Sequence, residues 1–427
     1  MGSVCPELVM PSKPAREVGP VLSTSSSLSA ERGQAPRGLG DLAALGGSPT
    51  FAAPLHVGRP NIGDRARLHE RIEGALDRRW LANDGPLVKE FESRVAELAG
   101  VEYCIATASA TAGLQLLAHA LDLTGEVLMP SFTFIGTAHA LSWLGITPVF
   151  ADIRYPCHTL DPRSAERAIT SRTSAIIGVH VWGGPCDVDA LEEIATRHGV
   201  AIVFDAAHAL GCSYRGRPIG GRGNAEVLSF HATKIASAGE GGAVTTNDHE
   251  LARRVRLMRN FGFVEYDEVS GIGTNAKMNE LSAAMGLTSL EAFEEFVEVN
   301  RRNHARYAAE LADIPSLRLI EHPPGERHNY HYVVAEVDAP GLRDELVTVL
   351  HAENVLVRRY FAPGCHRLEP YLANAVQLPA TEALCDRVLV LPTGTSISED
   401  DIVTICSIVR LAVERRGELR ELLQARA

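Results

Sequence analysis

The chain has 427 residues, of which 45% are hydrophobic and 22% charged, and its formal net charge is −12. This composition is typical of a globular protein, and the length favours two domains. Acidic charge spread along the chain argues against a nucleic-acid-binding protein. No run approaches the roughly 18 apolar residues of a membrane helix.

Residues 1–11 have neither a basic start nor a sustained apolar stretch, so we expect no signal peptide and a cytoplasmic protein. Eight cysteines occur without a CxxC pair, and no HExxH motif is present. We therefore expect reduced thiols, with no disulfide and no metal site.

Residues 1–45 are rich in Ser, Pro, Gly and Ala, which predicts a disordered or extended N-terminal arm. From about residue 65, apolar β-branched runs alternate with amphipathic stretches, and this alternation predicts a mostly parallel sheet with helices on both faces. Asp189 and Glu192 form a plausible capping box for a helix that ends at Gly199. The predicted helices span 111–123, 135–144 and 189–198, and the predicted strands span 126–132, 147–153, 174–181, 201–205, 227–230 and 243–246.

The stretch 279–310 predicts long helical structure that leads into a second domain. Residues 332–337 and 355–360 are typical of strands, and Ser398 is a suitable N-cap for a helical stretch at 398–423. We therefore predict a large domain over 46–300 and a smaller α+β domain over 301–427.

An acid and a lysine follow two of the predicted strands. Asp205 ends the apolar strand 201–205, and Lys234 follows the strand 227–230 and precedes the glycine-rich segment 239–242. Polar residues at the carboxyl ends of parallel strands are typical ligand contacts. An enzyme that uses pyridoxal 5'-phosphate (PLP) needs an amine for a Schiff base and a carboxylate beside the pyridine nitrogen. We predict Lys234 and Asp205 in these two roles.

Five further residues are candidates for cofactor contact. Ala110 and Thr111 begin a predicted helix, where free backbone N–H groups favour a phosphate, and Ser229 could add a hydroxyl. His208 could contact the cofactor's phenolic oxygen or ring face, and Phe134 could stack on the ring. The alternatives are an ordinary N-cap for Thr111, a packed histidine and a core aromatic.

Together, these motifs resemble those of the DegT/DnrJ/EryC1/StrS sugar aminotransferases, within fold-type-I PLP enzymes. The likeness begins at about residue 42 and is carried by NDGP at 83–86, PSFTF at 130–134, HVWG at 180–183, DAAH at 205–208, SFHATK at 229–234, EGG at 240–242 and GTNAKM at 273–278.

The resemblance implies a seven-stranded, mostly parallel sheet and a homodimer with shared active sites. Asn275 would reach the phosphate of the neighbouring subunit's cofactor. The amino donor would be L-glutamate, the acceptor a nucleotide-linked keto sugar, and the mechanism ping-pong.

The segments VGRPN at 57–61 and RYFAPGCH at 359–366 resemble those of bacterial 4-aminotransferases acting on TDP-4-keto-6-deoxy-glucose. Such enzymes serve deoxysugar assembly for natural products or polysaccharides. The resemblance suggests Arg59, Asn61, Lys277 and His366 as substrate contacts, with ordinary surface or interface polar groups as the alternative.

Two departures from the family pattern concern the sites. Ala110 replaces a usual glycine, and Lys277 replaces a usual arginine, so it would act as a point charge. Retention of Lys234 favours transamination over a PLP lyase or a sensor on the same scaffold. A 3-keto-sugar aminotransferase stays open, whereas a Rossmann-type nucleotide-binding module lacks its glycine motifs.

Overall fold

The computed structural model describes residues 33–374 and 376–426. Its α-helices are α1 (Arg65–Arg78), α2 (Pro86–Ala99), α3 (Ala110–Ala120), α4 (Ile135–Ser142), α5 (Pro162–Ala168), α6 (Val188–His198), α7 (His249–Met258), α8 (Glu280–Glu291), α9 (Phe293–Leu311), α10 (Leu342–Ala352), α11 (Pro379–Cys385), α12 (Glu399–Glu414) and α13 (Arg416–Gln424). Its strands are β1 (Leu55–His56), β2 (Tyr103–Thr107), β3 (Glu126–Pro130), β4 (Thr147–Ala151), β5 (Ile153–Arg154), β6 (Thr159–Leu160), β7 (Thr173–Val179), β8 (Ala201–Asp205), β9 (Ser213–Tyr214), β10 (Arg217–Pro218), β11 (Ala225–Ser229), β12 (Gly242–Thr246), β13 (Phe263–Glu265), β14 (Glu268–Val269), β15 (Leu317–Leu319), β16 (Val333–Val337), β17 (Val355–Leu356) and β18 (Val388–Leu391).

The central sheet has seven strands in the order β2-β12-β11-β8-β7-β3-β4. β12 is antiparallel to both of its neighbours, and the other pairs are parallel. Strands β3, β11 and β12 are buried along their whole length, as expected for a sheet covered on both faces. The predicted mostly parallel seven-stranded sheet is therefore confirmed.

A smaller antiparallel sheet has the order β15-β16-β18. Its core includes residues of α9, α10 and α12, among them Tyr307, Leu346 and Ile405. This arrangement confirms the smaller α+β unit. The domain limits at residues 45 and 300 stay predictions.

The segment around residues 39–51 differs from the predicted N-terminal arm. Leu39, Leu42 and Leu45 are buried in the core of the smaller unit, within two short 3-10 turns. The carboxylate of Glu353 accepts hydrogen bonds from the backbone N–H groups of Ala43 and Thr50. The prediction of a disordered or extended arm is thus wrong for residues 39–45, because three leucines at this spacing bury apolar surface. Residues 1–32 lie outside the described part of the chain.

Three local predictions also need correction. Asp187, not Asp189, caps α6 by accepting from the N–H of Ala190, although Gly199 ends this helix in the left-handed conformation as predicted. The helical stretch 279–310 consists of two helices interrupted at Ala292, whose backbone is not helical. The predicted strand 355–360 is reduced to β17, which pairs with β1.

Within the described residues, none of the helices combines the length and the apolar character needed to cross a membrane.

Candidate active site

A cavity of about 250 Å³ lies where the carboxyl ends of β8 and β11 meet the first turn of α3. Its lining includes both Asp205 and Lys234, which are 29 positions apart in the sequence. Because parallel strands end at one edge of the sheet, their terminal side chains converge there. The sheet topology thus brings the predicted carboxylate and amine together.

Lys234 is partly buried, and its Nζ donates a hydrogen bond of 3.2 Å to the hydroxyl oxygen of Tyr332. Burial lowers the pKa of Lys234 to about 8, and the charges of Asp205 and Tyr360 only partly oppose this effect. About one-tenth of the amine is therefore unprotonated at pH 7, which is far more than in an ordinary lysine. An unprotonated amine is the form that attacks an aldehyde and accepts a proton.

Asp205 ends β8 with its carboxylate buried at 7% exposure. One carboxylate oxygen accepts a hydrogen bond of 2.8 Å from the Thr137 hydroxyl, and the other accepts from the N–H of Ala207 at 3.1 Å. Two donors hold the carboxylate in one orientation at the cavity wall. Thr137 was not predicted, because only the fold places α4 beside β8.

The first turn of α3 presents backbone N–H groups that could hold an anion at the cavity wall. Ser109 caps the helix by accepting from the N–H of Ala112, and Ala110 and Thr111 follow it at the cavity wall. Amides of the first helical turn have no partner inside the helix and favour an anion. A Cβ at Gly242 would lie 2.4 Å from the nitrogen of Ala110, so the close approach of β12 to this turn requires glycine. Ser229 also lines the cavity.

His208 lines the cavity as a buried, neutral ring. Its Nδ1 accepts a hydrogen bond of 3.2 Å from the N–H of Trp182, so this nitrogen carries no proton. Burial, with the nearby positive charge of Lys234, holds the pKa of His208 well below its usual range. The ring is therefore packed and hydrogen-bonded, and it also lies at the cavity wall, whereas its contact with the cofactor stays a prediction.

Aromatic side chains complete the wall. Phe134 lines the cavity and is 59% exposed, so it is not the core aromatic of the alternative interpretation. Tyr332, Tyr360 and Phe361 also line the cavity, although the site prediction did not include them. They come from the smaller unit, whose contact with the large sheet has no local sequence signal.

Two predicted contacts lie outside the cavity lining. Asn275 is exposed and pairs with Asn260 through an isolated backbone bridge. Lys277 is partly buried, and its Nζ lies 4.8 Å from the ring centre of Phe261. Burial and the charge of Arg259 lower its pKa. Neither side chain lines this cavity, and the roles of both residues stay predictions.

Three of the predicted substrate contacts also lie elsewhere. The amide of Asn61 is 3% exposed and bridges the carbonyl of Ile235 to Thr395, from which its oxygen accepts two hydrogen bonds of 3.0 Å. His366 is buried, with its ring nitrogens 2.6 Å from the Ser131 hydroxyl and 3.3 Å from Glu382. The polar atoms of Asn61 and His366 are bonded within the chain, and their roles as substrate contacts stay predictions. Arg59 is partly buried and does not line the cavity, so its role stays a prediction.

The cavity fits PLP in chemical character. It offers an amine of lowered pKa, a buried and oriented carboxylate, and a helix N-terminus that a glycine keeps open. These groups match the aldehyde, the pyridine nitrogen and the phosphate of PLP. Among the described residues, no group of three or more His, Cys, Asp or Glu side chains could hold a metal ion.

Comparison with known proteins agrees with this geometry. Residues 63–410 match the DegT/DnrJ/EryC1/StrS aminotransferase family. A dTDP-4-amino-4,6-dideoxy-D-glucose transaminase of Shigella dysenteriae is 34% identical over 362 residues, which are 84% of this chain and 98% of that protein. A UDP-N-acetyl-3-dehydro-alpha-D-glucosamine 3-aminotransferase of Acidithiobacillus ferrooxidans is 34% identical over 334 residues, which are 77% of this chain and 89% of that protein.

The fold also matches solved structures. The crystal structure of DesI, determined in the presence of its TDP-sugar product, superposes with a TM-score of 0.88 at 54% identity. The match covers 91% of this chain and all of the DesI chain. The predicted family, enzyme class and cofactor are therefore confirmed. The chain belongs to the DegT/DnrJ/EryC1/StrS aminotransferase family and is a PLP-dependent aminotransferase.

Proposed function

We propose that this aminotransferase moves the amino group of L-glutamate to C4 of TDP-4-keto-6-deoxy-glucose by a ping-pong mechanism. The observation that carries the transfer chemistry is the single cavity that holds the Lys234 amine and the Asp205 carboxylate. The similarity to a dTDP-4-amino-4,6-dideoxy-D-glucose transaminase and to DesI supports the choice of sugar and carbon.

When bound, PLP supplies an aldehyde that takes up the amino group and a ring that draws electrons from the carbon losing its proton. Lys234 would hold the aldehyde carbon covalently and, once released, would move a proton as general base and then general acid. A pKa of about 8 suits both directions near neutral pH. Asp205, oriented by Thr137, would keep the pyridine nitrogen protonated.

The remaining residues of the cavity wall would bind the cofactor and orient it. The amides of Ala110 and Thr111, with the Ser229 hydroxyl, would bind the phosphate. His208, whose Nδ1 accepts from the N–H of Trp182, would contact the cofactor, and Phe134 would stack on its ring.

The proposal includes a homodimer in which Asn275 reaches the phosphate in the neighbouring subunit. Its exposure outside its own cavity supports this role. The hairpin of β13 and β14 next to it exposes apolar side chains, including Tyr266 at 94% and Val269 at 54%. Arg59 and Lys277 are proposed substrate contacts, and a cytoplasmic location also stays a prediction.

A second candidate acceptor is a 3-keto sugar nucleotide, because the Acidithiobacillus relative is named for amination at C3. The two sugars place the ketone on adjacent ring carbons, so the same lysine could serve either substrate after a modest change of sugar orientation. The product alone distinguishes them.

The experiment is an absorbance titration of the purified enzyme in its PLP-bound form. Glutamate should bleach the cofactor band, and after removal of the excess, TDP-4-keto-6-deoxy-glucose should restore it, with a 4-amino sugar identified by NMR. Bleaching without recovery, followed by recovery with a 3-keto sugar, would replace the proposed acceptor with the second candidate. Lys234→Ala should abolish both changes, and normal turnover in that variant would refute the mechanism.

A further inference from the structure

Tyr332 provides a contact to the reacting amine that the roles above do not use. Its hydroxyl oxygen accepts the hydrogen bond of 3.2 Å from Lys234 Nζ, and the side chain is 5% exposed. Within the described residues, no other hydrogen bond of this Nζ is present. Its ring packs against His208, with the two ring centres 4.6 Å apart.

The residues beside Tyr332 fix its position relative to the lysine. The Nε2–H of His331 donates 2.8 Å to the carbonyl of Thr233, which is the residue before Lys234. The Asn329 amide donates to the carbonyls of His208 and Leu210, at 2.9 and 3.1 Å. The segment that leads into β16 is therefore attached to both cofactor-binding strand ends, and the hydroxyl has little freedom to move.

The direction of the hydrogen bond matters for proton transfer. A neutral amine that donates one N–H to Tyr332 keeps its lone pair free to point elsewhere, whereas a phenolate would hold the amine as an ammonium. Burial raises the pKa of Tyr332, so the phenol stays neutral and the second situation is avoided.

We propose that Tyr332 is a further catalytic residue, which holds the released amine of Lys234 by one N–H and orients its lone pair toward the proton being transferred. The inference rests on the proposed role of Lys234 as proton carrier. In that step the proton leaves the α-carbon of glutamate for Nζ, the C–H electron pair stays with the carbon, and the tyrosine neither gains nor loses a proton.

The test compares Tyr332→Phe with Tyr371→Phe as a matched control. Tyr371 is also 5% exposed, and its hydroxyl lies 3.0 Å from the Ser142 hydroxyl, outside the cavity lining. The bleaching of the cofactor by glutamate, and by glutamate deuterated at the α-carbon, is followed by stopped flow. Tyr332→Phe should slow bleaching about 10- to 100-fold and raise the isotope effect, with unchanged cofactor content. Tyr371→Phe should match the wild type.

A second measurement does not depend on turnover. The pH dependence of acylation of Lys234 in cofactor-free protein is read by peptide mass spectrometry, with the Lys89 peptide as internal standard. Because the phenol oxygen favours the ammonium form, its loss should move the midpoint for Lys234 below about 8. A slower reaction with a more readily deprotonated amine would not follow from a merely structural defect.

The outcomes separate this inference from the proposed function. If the wild type transfers no amino group from glutamate, the proposed function fails, and the acylation midpoint still tests the contact between Tyr332 and Lys234. If the wild type reacts and Tyr332→Phe matches it in rate, isotope effect and midpoint, the inference alone is overturned. If Tyr332→Phe loses its cofactor, the acylation test still decides the question, because it uses cofactor-free protein.

Discussion

The lowered pKa of Lys234 predicts a measurable cost in stability. The amine has a pKa of about 8 in the folded chain, against 10.5 for an ordinary lysine. Between these values the unfolded chain binds more protons at this residue, so stability rises with pH across this window. This difference in pKa between the folded and unfolded chains corresponds to at most about 3 kcal/mol of destabilisation at pH 7. About 1 kcal/mol of this destabilisation remains at pH 10. Solvent around the partly exposed side chain reduces both figures.

Lys234→Met removes the amine and keeps an unbranched chain. The free energy of unfolding of the variant minus that of the wild type should therefore fall by about 2 kcal/mol between pH 7 and pH 10. The variant also lacks the hydrogen bond to Tyr332, which changes this difference by a similar amount at each pH, so the pH dependence carries the test.

The assay is urea unfolding of cofactor-free protein, followed by tryptophan fluorescence at four pH values from 7 to 10. Lys89→Met, at an exposed lysine, controls for the removal of an amine elsewhere. A difference between variant and wild type that stays constant within about 0.5 kcal/mol would refute the reasoning, because the amine would then titrate alike in the folded and unfolded chains.

Three further predictions concern the surroundings of the site. Thr137→Val should weaken PLP binding about tenfold, measured by fluorescence titration, because it removes one hydrogen bond to Asp205; unchanged affinity would count against the orienting role. Gly242→Ala should weaken PLP binding more than tenfold in the same titration, because the added Cβ would meet Ala110. Gly417→Ala is the control and should leave PLP binding unchanged, because nothing lies within 4 Å of its added Cβ. Arg259→Met should lower the free energy of unfolding by about 3–5 kcal/mol, because Arg259 is 2% exposed and binds both Glu92 and Asp84. A decrease below about 1 kcal/mol, measured by urea unfolding, would contradict this prediction.

The sequence allowed much of this architecture to be predicted, because strand periodicity and parallel topology determine which side chains meet. Asp205 and Lys234 could be paired for that reason. Tyr332 and Thr137 could not, since they reach the cavity through packing of distant elements. The motif containing Asn61 could not reveal that its amide is bonded within the chain, because the partner Thr395 lies 334 positions away.

The burial of residues 39–51 among C-terminal elements has a consequence during synthesis. Ala43 and Glu353, which hydrogen-bond to each other, are 310 positions apart. At roughly 5–20 residues per second, the ribosome needs about 15–60 seconds to supply the second partner. Helices α10 and α13, which pack against the turn Ala43–Leu45, are completed only at the end of that time or after it. The nascent chain therefore presents an apolar segment to chaperones well before the smaller unit can close over it.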